Sequence, residues 1–148
     1  MTEKFVNTEA NNKVFFDSNI FVYTMDDNDP RKKMIATNLI KDYENSDKVV
    51  ISTQNLQEFY NVSTKKLHIE KNIAKSAVDY LSKSFPVVQV SIPIILKAID
   101  IQIKYQLGFY DSLILSTASY ENCVVCYSED LSDGQIVDGV KVINPFCA

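Results

Sequence analysis

Short, wholly apolar runs alternate along this chain with longer segments whose apolar residues recur at the helical period. That alternation constrains the fold most. Strands joined through helices pair in parallel and are covered on both faces. Val14–Phe16, Val49–Ile51, Val87–Val90 and Cys123–Tyr127 read as strands, and Lys141–Ile143 as a last, short one. Helices are expected over Ile20–Met25, over a segment headed by Pro30 with Met34, Ile35, Leu39 and Tyr43 on its apolar stripe, and over Gln54–Lys66, Ile73–Ser84, Ile94–Gln106 and Phe109–Tyr120. Gly108 reads as the glycine that closes the Ile94–Gln106 helix. The expectation is an α/β fold, a parallel sheet with helices on both faces. It forms one domain over residues 13–148, after a loose polar arm over residues 1–12.

Composition narrows the function classes. Hydrophobic residues make up 46% of the 148, enough for a real core, and three Gly and four Pro leave little scope for linkers. No apolar run reaches the length of a bilayer span, and Met1–Phe5 lacks the basic-then-apolar pattern of a signal peptide, so a cytoplasmic location is expected. A net charge of −4 argues against a broad basic face for nucleic acid. If the substrate is a nucleic acid, something else must receive its phosphates, and a bound divalent metal would do so. Cys123 and Cys126 have a C-x-x-C spacing, but there is no second pair and the one histidine, His68, sits in a polar stretch. Burial in a strand is therefore expected for the two thiols, rather than zinc or redox chemistry. No Gly-rich phosphate loop of the G-x-G-x-x-G or G-x-x-x-x-G-K kind is present.

The acids carry the chemistry. Asp17 directly follows Val14-Phe15-Phe16, where a buried carboxylate is costly unless paired or bound to a cation. Taken alone, it reads equally as a helix cap or a strand end, since Ser18 and Asn19 are also good starts for a helix. Three further acids change the balance. Glu58 lies in the helix after the second strand, Asp111 opens the helix before the fourth, and Asp130 follows the fourth. In a parallel sheet the strand C-termini share one edge, so Asp17, Glu58 and Asp130 can meet there. The Asp111 helix runs back along the fourth strand and so starts at that edge. Four carboxylates in one cleft repel each other and raise their own pKa values. Mg²⁺ or Mn²⁺, which prefer oxygen ligands, would turn the cluster into a metal site suited to phosphodiester hydrolysis.

These residues resemble the PIN-domain family, and more narrowly the VapC-like ribonuclease toxins of bacterial toxin–antitoxin pairs. The resemblance rests on Phe16-Asp17-Ser18-Asn19, Gln57-Glu58-Phe59, Gly108-Phe109-Tyr110-Asp111-Ser112-Leu113-Ile114 and Ser128-Glu129-Asp130-Leu131 before Gly134. It spans roughly residues 13 to 146. It implies a three-layer fold with a five-stranded, mostly parallel sheet. It also implies a Mg²⁺- or Mn²⁺-dependent endoribonuclease with Asp17, Glu58, Asp111 and Asp130 as ligands. Asn19 and Ser128 would orient ligands or waters, and Asp133 would either add a ligand or form the turn with Gly134, the turn being favoured. Glu129 is expected to point to solvent. A cognate antitoxin would lie across the cleft, received by the Ile20–Met25 and Met34–Tyr43 helices, and a homodimer is the expected assembly.

Rival readings fit less well. A haloacid-dehalogenase-type phosphatase needs a second Asp two positions after the first, where this chain has Asn19. A receiver domain needs an acid after the third strand, where Val90-Ser91-Ile92-Pro93 offers none. A PIN-like module that binds RNA or protein without cutting is opposed by the intact acid set. With an acidic chain, local positive charge must guide single-stranded RNA, and Lys65-Lys66 after the Glu58 helix is the expected pair, against the alternative of a solvated helix end.

Overall fold

The computed structural model describes residues 12–147. In chain order its elements are β1 (Lys13–Phe16), α1 (Ser18–Tyr23), α2 (Pro30–Tyr43), β2 (Val49–Ser52), α3 (Thr53–Lys65), α4 (Lys71–Ser84), β3 (Val87–Val88), α5 (Ile92–Tyr105), α6 (Phe109–Tyr120), β4 (Cys123–Tyr127), β5 (Ile136–Val137) and β6 (Val140–Ile143). The strands form one sheet in the order β3-β2-β1-β4-β6-β5. Every pairing is parallel except β5 with β6. Of the arm expected over residues 1–12, all but Asn12 lie outside the described residues.

Side-chain alternation along β1 divides the core into two. Phe15 faces a cluster with Ile101 of α5 and Ile114, Leu115 and Ala118 of α6. Val14 and Phe16 face the opposite cluster, built with Ile20 and Phe21 of α1, Ala36 of α2, Phe59 of α3 and Leu81 of α4. The result is three layers, with α1–α4 on one face and α5 and α6 on the other. Phe16 is the anchor nearest the site. Its ring meets those of Phe21, Tyr43, Phe85 and Tyr127 edge-on, with centroids 5.6–6.5 Å apart. Truncating a buried Phe of this kind costs about 3–5 kcal/mol. That packing holds the end of β1, and with it the next residue, Asp17.

Several elements differ from the sequence expectation. The sheet has six strands, not five. The extra strand is β5, joined to β6 by a two-residue turn in which Asp138 (φ 46°) and Gly139 (φ 83°) are both left-handed, the Asp-Gly hairpin geometry. β3 covers only Val87–Val88, because it is an edge strand paired on one side, and the Val90 N–H turns to Thr53 Oγ1 at 3.3 Å. Met34 is exposed, and α2 instead packs inward through Ile35, Ala36, Leu39, Ile40 and Tyr43. Gly108 does not close α5. Gln106 takes the left-handed position at that helix end, and Gly108 caps the start of α6.

The two buried cysteines are free thiols. β4 carries a bulge, with Lys13 opposite Cys123 and Val14 opposite Val125, so Val124 is an extra residue. The extra residue puts Cys123 and Cys126 in the same cluster, where residues three apart in a regular strand would face opposite ways. Burial pushes the Cys123 thiol up to about 12 and Cys126 well above its ordinary value. His68 is exposed.

Candidate active site

The strand order reverses between β1 and β4, since β2 and β3 lie to one side and β6 and β5 to the other. At such a switch point the connections diverge and leave a crevice at the strand C-termini. Asp17 ends β1 there, its N–H donating to the Tyr127 carbonyl at 2.9 Å. The carboxylate is 4% exposed. Its Oδ1 accepts from the Ser18 N–H at 2.7 Å, so Asp17 itself begins α1, where Ser18 and Asn19 were the other candidates. Its Oδ2 accepts from the Ser128 hydroxyl at 2.7 Å.

Ser128 and Asn19 tie the two loops together. Ser128 Oγ accepts from the Asp130 N–H at 3.1 Å while donating to Asp17. Asn19 Nδ2 donates to Asp130 Oδ2 at 3.2 Å, and its Oδ1 accepts from the Glu129 N–H at 3.3 Å. Asp130 thus sits at the exposed rim above the buried Asp17.

The remaining acids come from α3 and α6. Glu58 is half-buried on the second turn of α3, a helix started by a reciprocal cap between Ser52 and Asn55. Its Oε1 is buried and has no hydrogen-bond partner. Asp111 lies in the first turn of α6, where the helix dipole favours a negative charge. Charge couples the four acids, of which Glu58 and Asp130 line one cleft. Burial raises Asp17 to about 6, against the pull of the Ser128 and Ser18 hydrogen bonds, and the charges of Asp130 and Asp111 add to the rise. Burial also raises Glu58 to about 7, followed by the charge of Asp17, with Asp130 and Asp111 adding and the Gln54 amide partly offsetting. Asp111 is raised by burial and by Asp130.

As these side chains stand, no three His, Cys, Asp or Glu residues among those described form a group that could hold a metal ion. The donor set still suits a hard divalent cation. It is all carboxylate oxygen, one member has an orphaned buried oxygen, and burial, with the neighbouring acids adding, makes the charged forms of Asp17 and Glu58 costly without a cation.

A cleft of about 260 Å³ opens here, lined among others by Ser18, Asn19, Tyr23, Glu58, Lys66 and Asp130. Both lysines are exposed; Lys66, at the end of α3, lines the cleft and Lys65 does not. Glu129 does not point to solvent. It pairs with Lys32 of α2 and accepts from the Tyr23 hydroxyl at 2.5 Å, and Lys32 also lies over the Tyr23 ring. Asp133 is in the turn, its Oδ1 accepting from the Asn144 N–H at 2.8 Å, beside Gly134 at φ 84°. Sequence reading overlooked Gln54. It is buried one turn before Glu58, and its Nε2 donates to the Tyr110 carbonyl at 3.3 Å. The signal available was its four-residue spacing from Glu58.

Comparison with known proteins places the fold. The family model for the PIN domain matches residues 14–132. No curated protein matches the chain. Among solved structures, Mycobacterium tuberculosis VapC20, a Sarcin-Ricin loop cleaving toxin, superposes with a TM-score of 0.66 at 16% identity, covering 80% of this chain and 90% of its own. A toxin–antitoxin complex from Klebsiella pneumoniae gives 0.67 at 20% identity, with coverages of 90% and 98%. DNA-bound VapBC from Salmonella typhimurium gives 0.66 at 15% identity, with coverages of 88% and 96%. At these identities the likeness is one of fold. The family model spans most of the chain, from β1 to the loop after β4, and so the chain belongs to the PIN-domain family.

Proposed function

We propose that this chain is a Mg²⁺- or Mn²⁺-dependent endoribonuclease acting on single-stranded RNA in the cytoplasm, and the toxin of a toxin–antitoxin pair. The observation that supports the reading is the charge coupling among Asp17, Glu58, Asp111 and Asp130 in a PIN-domain fold, with Asp17 raised to about 6 and Glu58 to about 7 chiefly by burial. Those four residues would hold the metal. When bound, such a cation supplies a water of lowered pKa and stabilises the leaving oxygen of a phosphodiester. The protein's own part is positioning. Ser128 holds Asp17 Oδ2 in place, and Asn19 keeps the Asp130 loop against α1. Lys66 brings positive charge to a cleft otherwise rich in acids, with Lys65 beside it at the helix end. The Asp133 carboxylate is occupied by the Asn144 N–H, so we assign it to the turn.

The solved relatives include toxin–antitoxin complexes, which supports an antitoxin partner here. α1 and α2, the elements expected to receive it, border an apolar groove of about 830 Å³ lined by Phe21, Met25, Ile40, Phe59, Leu81 and Phe85 among others. A homodimer remains the assembly we propose. Among the described residues no helix is long and apolar enough to cross a membrane. The test is cleavage of single-stranded RNA by purified protein, stopped by EDTA and restored by Mg²⁺ or Mn²⁺. Asp111→Asn removes a ligand charge and should lower the rate by orders of magnitude. Unchanged cleavage in that variant, with contaminating nuclease excluded, would overturn the assignment.

A further inference from the structure

Among the described residues, three buried side-chain polar atoms lack a hydrogen-bond partner: Gln54 Oε1, Asn55 Nδ2 and Glu58 Oε1. All three lie in the first two turns of α3. Orphaned buried groups are rare and destabilising, so their gathering on one helix end calls for a reason. Gln54 is the informative member. It is 6% exposed, a position where an apolar side chain would cost less. Its Nε2 donates at 3.3 Å to the carbonyl of Tyr110, the residue before Asp111. Because that partner is an acceptor, the amide must face it with its NH₂ end, which leaves Oε1 as the orphan. Gln54 also lies four residues before Glu58, on the same helix face. One side chain therefore touches the start of the Asp111 helix and stands beside Glu58.

We infer that Gln54 is a positioning residue, tying α3 to the first turn of α6 so that Glu58 and Asp111 keep a fixed spacing across the cleft. The inference rests on the nuclease reading for its purpose. It is tested with Gln54→Met, which keeps length and shape but removes both hydrogen-bonding groups, and with Gln54→Glu, which removes the donor and adds a carboxylate beside Glu58. In metal-free protein, amide exchange at Ser112, whose N–H closes the first turn of α6 on Gly108, should quicken in both variants. Calorimetric titration of Gln54→Met with Mn²⁺ should show binding weakened roughly 10–100-fold, as for other groups that orient metal ligands. RNA cleavage should lose kcat with KM unchanged. The melting temperature of Gln54→Met in EDTA should be retained, since an orphaned acceptor has gone. Wild-type Mn²⁺ affinity in a folded Gln54→Met would overturn the role, even if that variant melted lower, because Gln54 would then only pack the helix. Unchanged Ser112 exchange would overturn it as well. A wild-type protein that binds no Mn²⁺ would overturn the nuclease reading, and the purpose of the tie with it. Normal binding by both proteins would overturn the tie alone.

Discussion

Replacing Asp17 by Asn separates its two roles, because the change keeps the shape and removes the charge. Burial raises the folded-state value from 3.8 to about 6. For an acid this means that the folded protein binds its proton more tightly than the unfolded chain does. Stability from the neutral form is fully present below pH 3.8 and is lost as pH rises through about 6. At pH 7.5 the ionised carboxylate therefore costs roughly 3 kcal/mol, at 1.36 kcal/mol for each pKa unit. An Asn side chain escapes that cost. It loses one good hydrogen bond, because its NH₂ must face either the Ser18 N–H or the Ser128 and Asn19 side chains, which now meet carboxylate oxygens. That loss offsets about 1 kcal/mol. The metal-free variant should thus be more stable than wild type by about 1–2 kcal/mol at pH 7.5, or roughly 2–8 °C for a chain of this size. The advantage should disappear near pH 4. Mg²⁺ should stabilise the wild type by about 2.7 kcal/mol at a hundredfold excess over its Kd, and the variant by less. Thermal melts of both proteins at the two pH values, in EDTA and in Mg²⁺, give all four comparisons. A variant that melts below wild type at pH 7.5 in EDTA, yet responds to Mg²⁺ as wild type does, would refute the reasoning and leave Asp17 as a helix cap alone.

Two further outcomes are expected. Lys65→Ala with Lys66→Ala should weaken RNA binding and flatten its dependence on salt, and Lys66→Ala alone should carry most of the effect because only Lys66 lines the cleft. Filter binding across a salt series checks this, and a wild-type slope in the double variant would return both residues to the solvated surface. Co-expression with the product of an upstream reading frame should give a stable, inactive complex in which an arginine reaches the carboxylates. A free and active nuclease from the same preparation would favour a protein that works without an antitoxin.

Much of the fold was legible because its signals are local. Val14–Phe16 and Val49–Ile51 are too short and too apolar for anything but buried strands, and helix-period segments lie between most strands, which is enough for a parallel sheet. Asp-Gly at 138–139 carried an equally local hairpin signal, and overlooking it hid β5. Gly108 misled because a glycine after a helix suggests a C-terminal cap, whereas Gln106 had already taken the left-handed position two residues earlier.

The sequence by itself determined the layers, the sharing of one edge by strand ends, and hence which acids were able to meet. Those follow from side-chain period and chain direction, which need only neighbours along the chain. Only the tertiary structure decided how each acid is placed. Asp17 is buried against Ser128, 111 residues away, while Asp130 beside that serine stays at the rim. Glu129, between them, turns to Lys32, and Gln54 reaches the helix that carries Asp111. The β4 bulge that turns Cys123 and Cys126 to one side depends on pairing with β1. Burial and pairing of a polar group are set by what packs around it, and here that packing comes from segments distant in sequence, whose contacts no local pattern encodes.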